Sequence, residues 1–128
     1  MKLSGIAGLL IGIGIFLGAF GAHGLEGQVS PKRIETWETA SFYHLFNALG
    51  LLLLSTTSFD KKIPRRLPWV ILFGTVLFSG SLYLLVALDL PILGAITPLG
   101  GLAIGGGWCW LGIHLLSSKK GGSSAPMQ

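Results

Sequence analysis

Charged residues are scarce in this chain. Of its 128 residues, nine are Lys or Arg and five are Asp or Glu, so 11% of the chain is charged, against about 25% in an average soluble domain. A chain this apolar cannot cover its own surface with polar groups, which excludes an ordinary water-soluble domain. The basic residues lie in short clusters between apolar runs rather than along one face, so the chain lacks the signature of nucleic-acid binding and we expect no nucleic-acid partner.

Cysteine and catalytic motifs are equally sparse. The single cysteine, Cys109, lies inside an apolar run and is expected to be a small buried hydrophobe. One cysteine excludes an intramolecular disulfide and a cysteine-based metal cluster. No nucleophile motif, phosphate loop or dinucleotide fingerprint is present, because the glycine-rich stretch 101–107 follows no strand. We therefore predict a non-enzymatic protein with no catalytic residue, no cofactor and no metal site.

Hydrophobic residues, by contrast, make up 51% of the chain and form four long runs. We predict helices at about 3–22, 31–58, 67–88 and 92–116, since about 20 helical residues cross the hydrocarbon core of a bilayer. Backbone groups in lipid must be satisfied internally, and no run alternates as a barrel strand does. The sequence thus predicts an all-α integral membrane four-helix bundle over residues 1–117, followed by a flexible cytoplasmic tail at 118–128.

Two local signals refine the ends of these runs. Ser30 followed by Pro31 predicts the start of the second helix, with serine as the N-cap and proline in the first turn. The first run follows Lys2 and ends among small residues, as a secretory signal does. It is longer than a signal core of about 7–15 residues, so we expect a retained helix.

The basic residues predict an orientation. Seven of them lie at the N-terminus, in the 60–68 hairpin and in the tail, which share one side if four helices span. The opposite side carries Lys32 and Arg33 alone. Because cytoplasmic loops are enriched in Lys and Arg, both termini are predicted to be cytoplasmic and the loop after His23 external.

Twenty glycines indicate close helix packing. Residues four apart share a helix face, and glycine there lets two backbones approach. Three such pairs occur, and the third helix adds two more glycines; the predicted packing positions are Gly8, Gly12, Gly14, Gly18, Gly74, Gly80, Gly101 and Gly105. The spacing leaves open whether these contacts lie within one chain, in a homo-oligomer or in a larger membrane-protein complex.

Some polar residues near or within the spans are candidates for function. His23, at the outer end of the first helix, either caps the helix or accepts a proton or metal, and Glu38 of the next helix could meet it. Ser41, His44 and Asn47 form a polar stripe on the second helix, serving either interhelical hydrogen bonding or function. Glu38 and His44 lie on different faces of that helix.

Two functional hypotheses are favoured over a third, a membrane enzyme that uses His23, Glu38 or His44. The first is a non-enzymatic membrane protein that acts by packing with itself or with other membrane proteins. The alternative is a subunit of a small oligomeric transporter or channel that uses a polar group set. That set consists of His23, Glu38, Ser41, His44, Asn47, Ser79, Ser81 and Tyr83.

Four segments in order resemble a known family. They are LGAFGAHGL (17–25), WETASFYHLFNALGLLLL (37–54), LFSGSLYLL (77–85) and ITPLGGLAIGGGW (96–108). Together they resemble the DUF423 family of small membrane proteins, which has YgdD-like and YwdK-like members and relatives of transmembrane protein 256. The resemblance implies a four-span protein of the bacterial plasma membrane. It implies no catalytic residue, since the family is largely uncharacterised.

Overall fold

The computed structural model describes residues 2–59 and 62–122, with side chains up to residue 117. It contains four α-helices: α1 (Lys2–His23), α2 (Pro31–Thr56), α3 (Leu67–Leu88) and α4 (Thr97–Gly122). A short 3₁₀ helix, Pro91–Ala95, lies between α3 and α4. These described residues include no β-strand, and the predicted all-α membrane fold is confirmed.

The start of α2 has the predicted cap. The Ser30 hydroxyl accepts a hydrogen bond from the Arg33 backbone N–H at 3.2 Å, and Pro31 occupies the first turn. At the end of α3, Asp89 adopts a left-handed conformation with φ of 56°. Its carboxylate lies 3.1 Å from the Arg33 guanidinium, which joins the start of α2 to the end of α3.

The fourth helix differs from the range 92–116 at both ends. Residues 91–95 form the 3₁₀ turn, and α4 begins at Thr97 because Pro98 is tolerated only in a first helical turn. The helix continues to Gly122, since no proline interrupts 117–122. The tail predicted at 118–128 is therefore helical through residue 122, and its remainder lies outside the described residues.

Among the described residues, three helical segments are long and apolar enough to cross a membrane: Lys2–His23, Leu67–Leu88 and Pro91–Ser117. Helix α2 is not among them, because charged residues occupy its first turns and polar residues, His44 and Asn47 among them, lower the hydropathy of the remainder. Its apolar part, residues 40–56, reaches the lower end of the about 17–25 residues that span a bilayer. A fourth span remains a prediction.

The helices pack in chain order, α1 on α2, α2 on α3 and α3 on α4. Helices α1 and α4 do not pack on each other within the described part of the chain, so the bundle is open on one side. A buried core joins all four helices at the end near the 60–68 hairpin. Its members are Ala7, Leu51, Leu54, Leu67, Ile71 and Leu111.

Candidate functional site

A tryptophan of α2 bonds directly to the backbone of α1. The Trp37 indole N–H donates to the Leu17 carbonyl at 2.8 Å, and Trp37 is 5% exposed. Gly21 lies one turn beyond Leu17, and a Cβ there would overlap the Trp37 ring. Glycine at position 21 therefore gives the indole access to a carbonyl that a helix normally screens with side chains.

His44, two helical turns after Trp37 on α2, makes the same kind of contact with α1. Its Nε2 lies 2.7 Å from the Leu10 carbonyl oxygen. Gly14 follows Leu10 by one turn, and a Cβ there would lie 3.2 Å from Nε2 and 2.6 Å from a methyl of Leu45. The imidazole thus reaches the α1 backbone across a glycine, as the indole does.

These two contacts, which we call the clips, share one geometry. In each, a ring N–H of α2 meets a carbonyl of α1 beside a glycine four residues further along α1. The glycines are seven residues apart, and so are the two rings. Because seven residues are nearly two helical turns, both clips lie on one seam between antiparallel helices.

The polar side chains form a chain of hydrogen bonds at the second clip. His44 Nδ1 lies 2.9 Å from the Tyr83 hydroxyl, which lies 3.3 Å from the Ser41 hydroxyl. A carbonyl only accepts, so His44 Nε2 carries a hydrogen and neutral Nδ1 accepts from Tyr83. With a second proton, Nδ1 donates to Tyr83, whose O–H then turns to Ser41. The Tyr83–Ser41 bond runs from the Tyr83 O–H to the Ser41 oxygen, the direction of the second state; in the first state Ser41 donates to Tyr83 instead.

This hydrogen-bond chain borders a small cleft of about 150 Å³ between α1 and α3. The cleft is mostly apolar, and His44 and Tyr83 contribute to its wall. The full lining is Leu10, Leu17, His44, Thr75, Val76, Ser79, Gly80 and Tyr83. The polar chain therefore lies at the edge of a space that opens between helices.

Asn47 belongs to a separate contact. Its side-chain Oδ1 accepts from the Trp108 indole N–H at 2.7 Å, and its Nδ2 donates to the Tyr43 carbonyl at 2.8 Å. Asn47 is 1% exposed. The bond from Trp108 ties α4 to α2 where the two backbones are not in close contact, and the bond to Tyr43 lies within α2 and orients the amide.

Hydroxyl groups join the remaining helices. Ser79 of α3 donates to the Ala40 carbonyl of α2 at 2.8 Å, and Ser81 lies 2.6 Å from the Thr97 hydroxyl of α4. In the part of the chain that the structure describes, every buried side-chain nitrogen and oxygen has a hydrogen-bond partner. The same residues contain no group of three or more side chains placed to hold a metal ion.

The two outer candidates do not join this cluster. His23 and Glu38 are both exposed, and no hydrogen bond or ion pair links them within the described residues. Glu38 instead borders a shallow depression with Glu35 and Tyr43. Of the sequence candidates, the structure thus brings together Ser41, His44 and Tyr83.

The predicted packing glycines divide by environment. Gly14 and Gly74 lie against neighbouring helices, and Gly18 and Gly101 make looser contacts with Ser41 and Phe78. Added Cβ atoms at the other four would meet nothing within 4 Å; these are Gly8, Gly12, Gly80 and Gly105. Four-residue spacing alone does not tell which face a neighbour covers.

The closest approach of α3 to α4 involves a glycine outside the predicted pairs. A Cβ on Gly100 would lie 2.5 Å from the Phe78 backbone nitrogen and 2.9 Å from the Gly74 carbonyl oxygen. Cys109, expected to be buried, is exposed because the packed face of α4 runs through Gly100, Ile104 and Leu111.

A family model described as "Protein of unknown function (DUF423)" matches residues 17–101. This chain belongs to the DUF423 family. The matched range begins in the second half of α1 and ends in α4, so it contains both Trp37 and His44 with their bonds to Leu17 and Tyr83. The family assignment confirms the resemblance noted in the sequence.

Curated relatives carry the name UPF0382 membrane protein. SH2409 of Staphylococcus haemolyticus (strain JCSC1435) is 44% identical over 87% of this chain and 93% of its own length. YwdK of Bacillus subtilis (strain 168) is 46% identical over 77% of this chain and 81% of its own. No solved structure matches this chain. This DUF423 chain is therefore a membrane protein with relatives in bacteria.

Several bonding residues were not singled out from the sequence as partners. The chain has four tryptophans and 20 glycines, and no local pattern marks Trp37, Trp108 and Gly21 among them as contact residues. A signal existed in the paired seven-residue spacings, Trp37 with His44 and Gly14 with Gly21. The match between these two spacings can be recognised only when α1 and α2 are aligned as antiparallel neighbours.

Proposed function

We propose that this DUF423 protein is a non-enzymatic membrane protein that acts by packing with itself or with another membrane protein. The observation that carries the proposal is the distribution of glycine around α1. Gly14, Gly18 and Gly21 form a packed face directed at α2. A second set of small residues, the open face, consists of Gly5, Gly8, Gly12 and Ala19, with no neighbour near its glycines.

The two faces of α1 point in different directions. At about 100° per residue, their centres are roughly 140° apart around the helix. Glycine destabilises a helix by about 1 kcal/mol relative to alanine. The three glycines of the open face therefore destabilise α1, and no contact within the described part of the chain compensates for them. In lipid, helices associate through small residues that permit close backbone approach. Pairing of two open faces gives a symmetric dimer, the form of self-packing that we favour.

Disulfide crosslinking in native membranes tests this packing. In a Cys109→Ser background, Ile15→Cys places a thiol beside the open face, whereas Ile13→Cys places one about 110° from that face's centre. Both isoleucines are exposed, at 56% and 49%, which makes them a matched pair. We expect a dimer band on mild oxidation for position 15 and at most a trace for position 13. Equal bands, or none at position 15, would contradict self-packing through this face.

We further propose that the protein lies in the bacterial plasma membrane with four spans and both termini in the cytoplasm. The basic hairpin at one end of the bundle and the helix order support this orientation. Reporter fusions after Gln28 and at the C-terminus should give opposite compartments. The same compartment for both fusions would contradict it.

A second candidate function, a subunit of an oligomeric transporter or channel, draws support from one observation. The chain of His44, Tyr83 and Ser41 can hold one or two protons on the imidazole, and it borders the cleft between α1 and α3. Polar groups inside a membrane span often belong to proton or solute paths.

This candidate predicts proton entry into proteoliposomes under an imposed pH gradient, read with an internal pH-sensitive dye. His44→Gln should reduce entry to the level of empty vesicles, while His114→Gln on α4 should leave it unchanged. Wild-type vesicles no more permeable than empty ones would remove the proton path. Retained entry in the His44 variant would assign the path to other groups.

A further inference from the structure

An apolar groove lies between α2 and α4. It has a volume of about 570 Å³, within the about 300–1,000 Å³ of ordinary small-molecule sites. Its walls are large hydrophobic and aromatic side chains. The principal ones are Phe46, Leu49, Leu53, Phe59, Trp108 and Leu111.

The groove offers almost no polar atom to an occupant. The indole nitrogen of Trp108 is turned away and donates to Asn47. Gly50 lies beneath the ring, and a Cβ there would lie 2.7 Å from Trp108 Cζ2. The indole is therefore fixed as a flat apolar wall, and a hydrocarbon chain fits this surface better than a polar solute.

A cationic hairpin lies at one end of the groove. Phe59 lines the groove and comes shortly before Lys62, and Leu111 comes one helical turn before His114. His114 Nε2 lies 2.8 Å from the Lys62 carbonyl, which holds the hairpin against this end of α4. Arg65 is also exposed there. An apolar groove thus ends beside at least two exposed cations at the membrane surface.

The side chains that line the groove favour a lipid over another helix as its occupant. Helices that pack on one another in lipid do so through small residues, and the groove walls are phenylalanine, leucine and tryptophan. The open small-residue face lies on α1, which is not part of the groove. An acyl chain conforms to such walls, and basic pockets between transmembrane helices bind anionic lipid headgroups.

We propose that this groove binds one anionic phospholipid, with an acyl chain along Leu49, Leu53 and Trp108 and the phosphate headgroup at Lys62 and Arg65. This proposal is independent of self-packing through α1. The groove lies on the opposite side of α2 from the clips. Its apolar wall and its cationic end can be changed by separate substitutions.

Native mass spectrometry of delipidated protein in mild detergent tests the proposal. Phosphatidylglycerol and phosphatidylcholine with identical acyl chains are titrated in separate experiments. We expect one phosphatidylglycerol adduct at a concentration roughly fivefold to thirtyfold lower than for phosphatidylcholine, as one or two surface cations would give. Equal binding of the two lipids would overturn the assigned headgroup.

Two matched pairs of variants separate the parts of the site. Leu53→Trp fills the groove and should abolish the adduct, while Leu102→Trp, at an exposed position of α4, should retain it. Arg65→Gln should lower the preference for phosphatidylglycerol severalfold, while Lys32→Gln at the other end of the bundle should not. Circular dichroism checks that each variant is folded. An adduct that survives Leu53→Trp in folded protein would overturn the groove as its site.

Discussion

Replacing Gly100 with valine is expected to separate α3 from α4 and to destabilise the protein by about 3 kcal/mol. A side chain at this position would meet the Phe78 backbone nitrogen at 2.5 Å, the Phe78 Cα at 2.8 Å and the Gly74 carbonyl oxygen at 2.9 Å. All three are backbone atoms, so no rotamer change relieves the overlap. The helices themselves must move apart, and the bond between Ser81 and Thr97 at the same interface would be weakened.

The measurement for this variant is the free energy of unfolding in mixed micelles. Gly105→Val is the control, because it makes the same chemical change on the same helix where nothing lies within 4 Å. Helix propensity changes equally in both proteins, so the difference between them reports the contact with α3. A Gly100 variant as stable as the Gly105 variant would show that α3 and α4 do not meet through this glycine.

Replacing Gly21 with alanine is expected to break the first clip at a cost of about 2 kcal/mol. The new Cβ would overlap the Trp37 ring, which is 5% exposed and lies against Tyr83 with ring centroids 4.7 Å apart. The indole would leave its site and lose its bond to the Leu17 carbonyl. Interhelical hydrogen bonds in membranes contribute about 0.6 kcal/mol on average, and the rest of the cost is overpacking.

A double-mutant cycle gives this prediction its specificity. In a Trp37→Leu background the large ring is absent, so Gly21→Ala should cost far less than in the wild-type protein. Gly12→Ala is the control on the same helix, since its Cβ would point into open space. If Gly21→Ala cost the same with leucine at position 37, the indole would not be what position 21 accommodates.

The sequence predicted best those helix ends that are determined by residues close together in the chain. Helix α3 spans Leu67–Leu88, the range expected from its apolar run and Pro68. The start of α2 follows from Ser30 and Pro31, whose effects act within one turn. The sequence places the start of the fourth helix at residue 92, whereas α4 begins at Thr97. The apolar run continues through the 3₁₀ helix, and hydropathy does not distinguish a 3₁₀ helix from an α-helix.

The candidate site was less predictable because its bonds join distant parts of the chain. The stripe of Ser41 and His44 was visible from helical spacing, but the partner Tyr83 is 39 residues beyond His44. The backbone carbonyl of Leu10 has no sequence signature at all. His23 and Glu38 are near the same end of neighbouring helices, yet they do not meet because each side chain is exposed to the surroundings.

The most direct test of the account compares Gly12→Leu with Gly21→Ala in two measurements, unfolding free energy and crosslinking through Ile15→Cys. The account holds that one face of α1 maintains the fold and the other maintains association. Gly12→Leu should therefore not destabilise the monomer, since leucine favours a helix over glycine by about 0.8 kcal/mol, and it should abolish the dimer band, whereas Gly21→Ala should lower the stability of the monomer. A Gly12→Leu variant that keeps its dimer, or that unfolds as readily as Gly21→Ala, would contradict it.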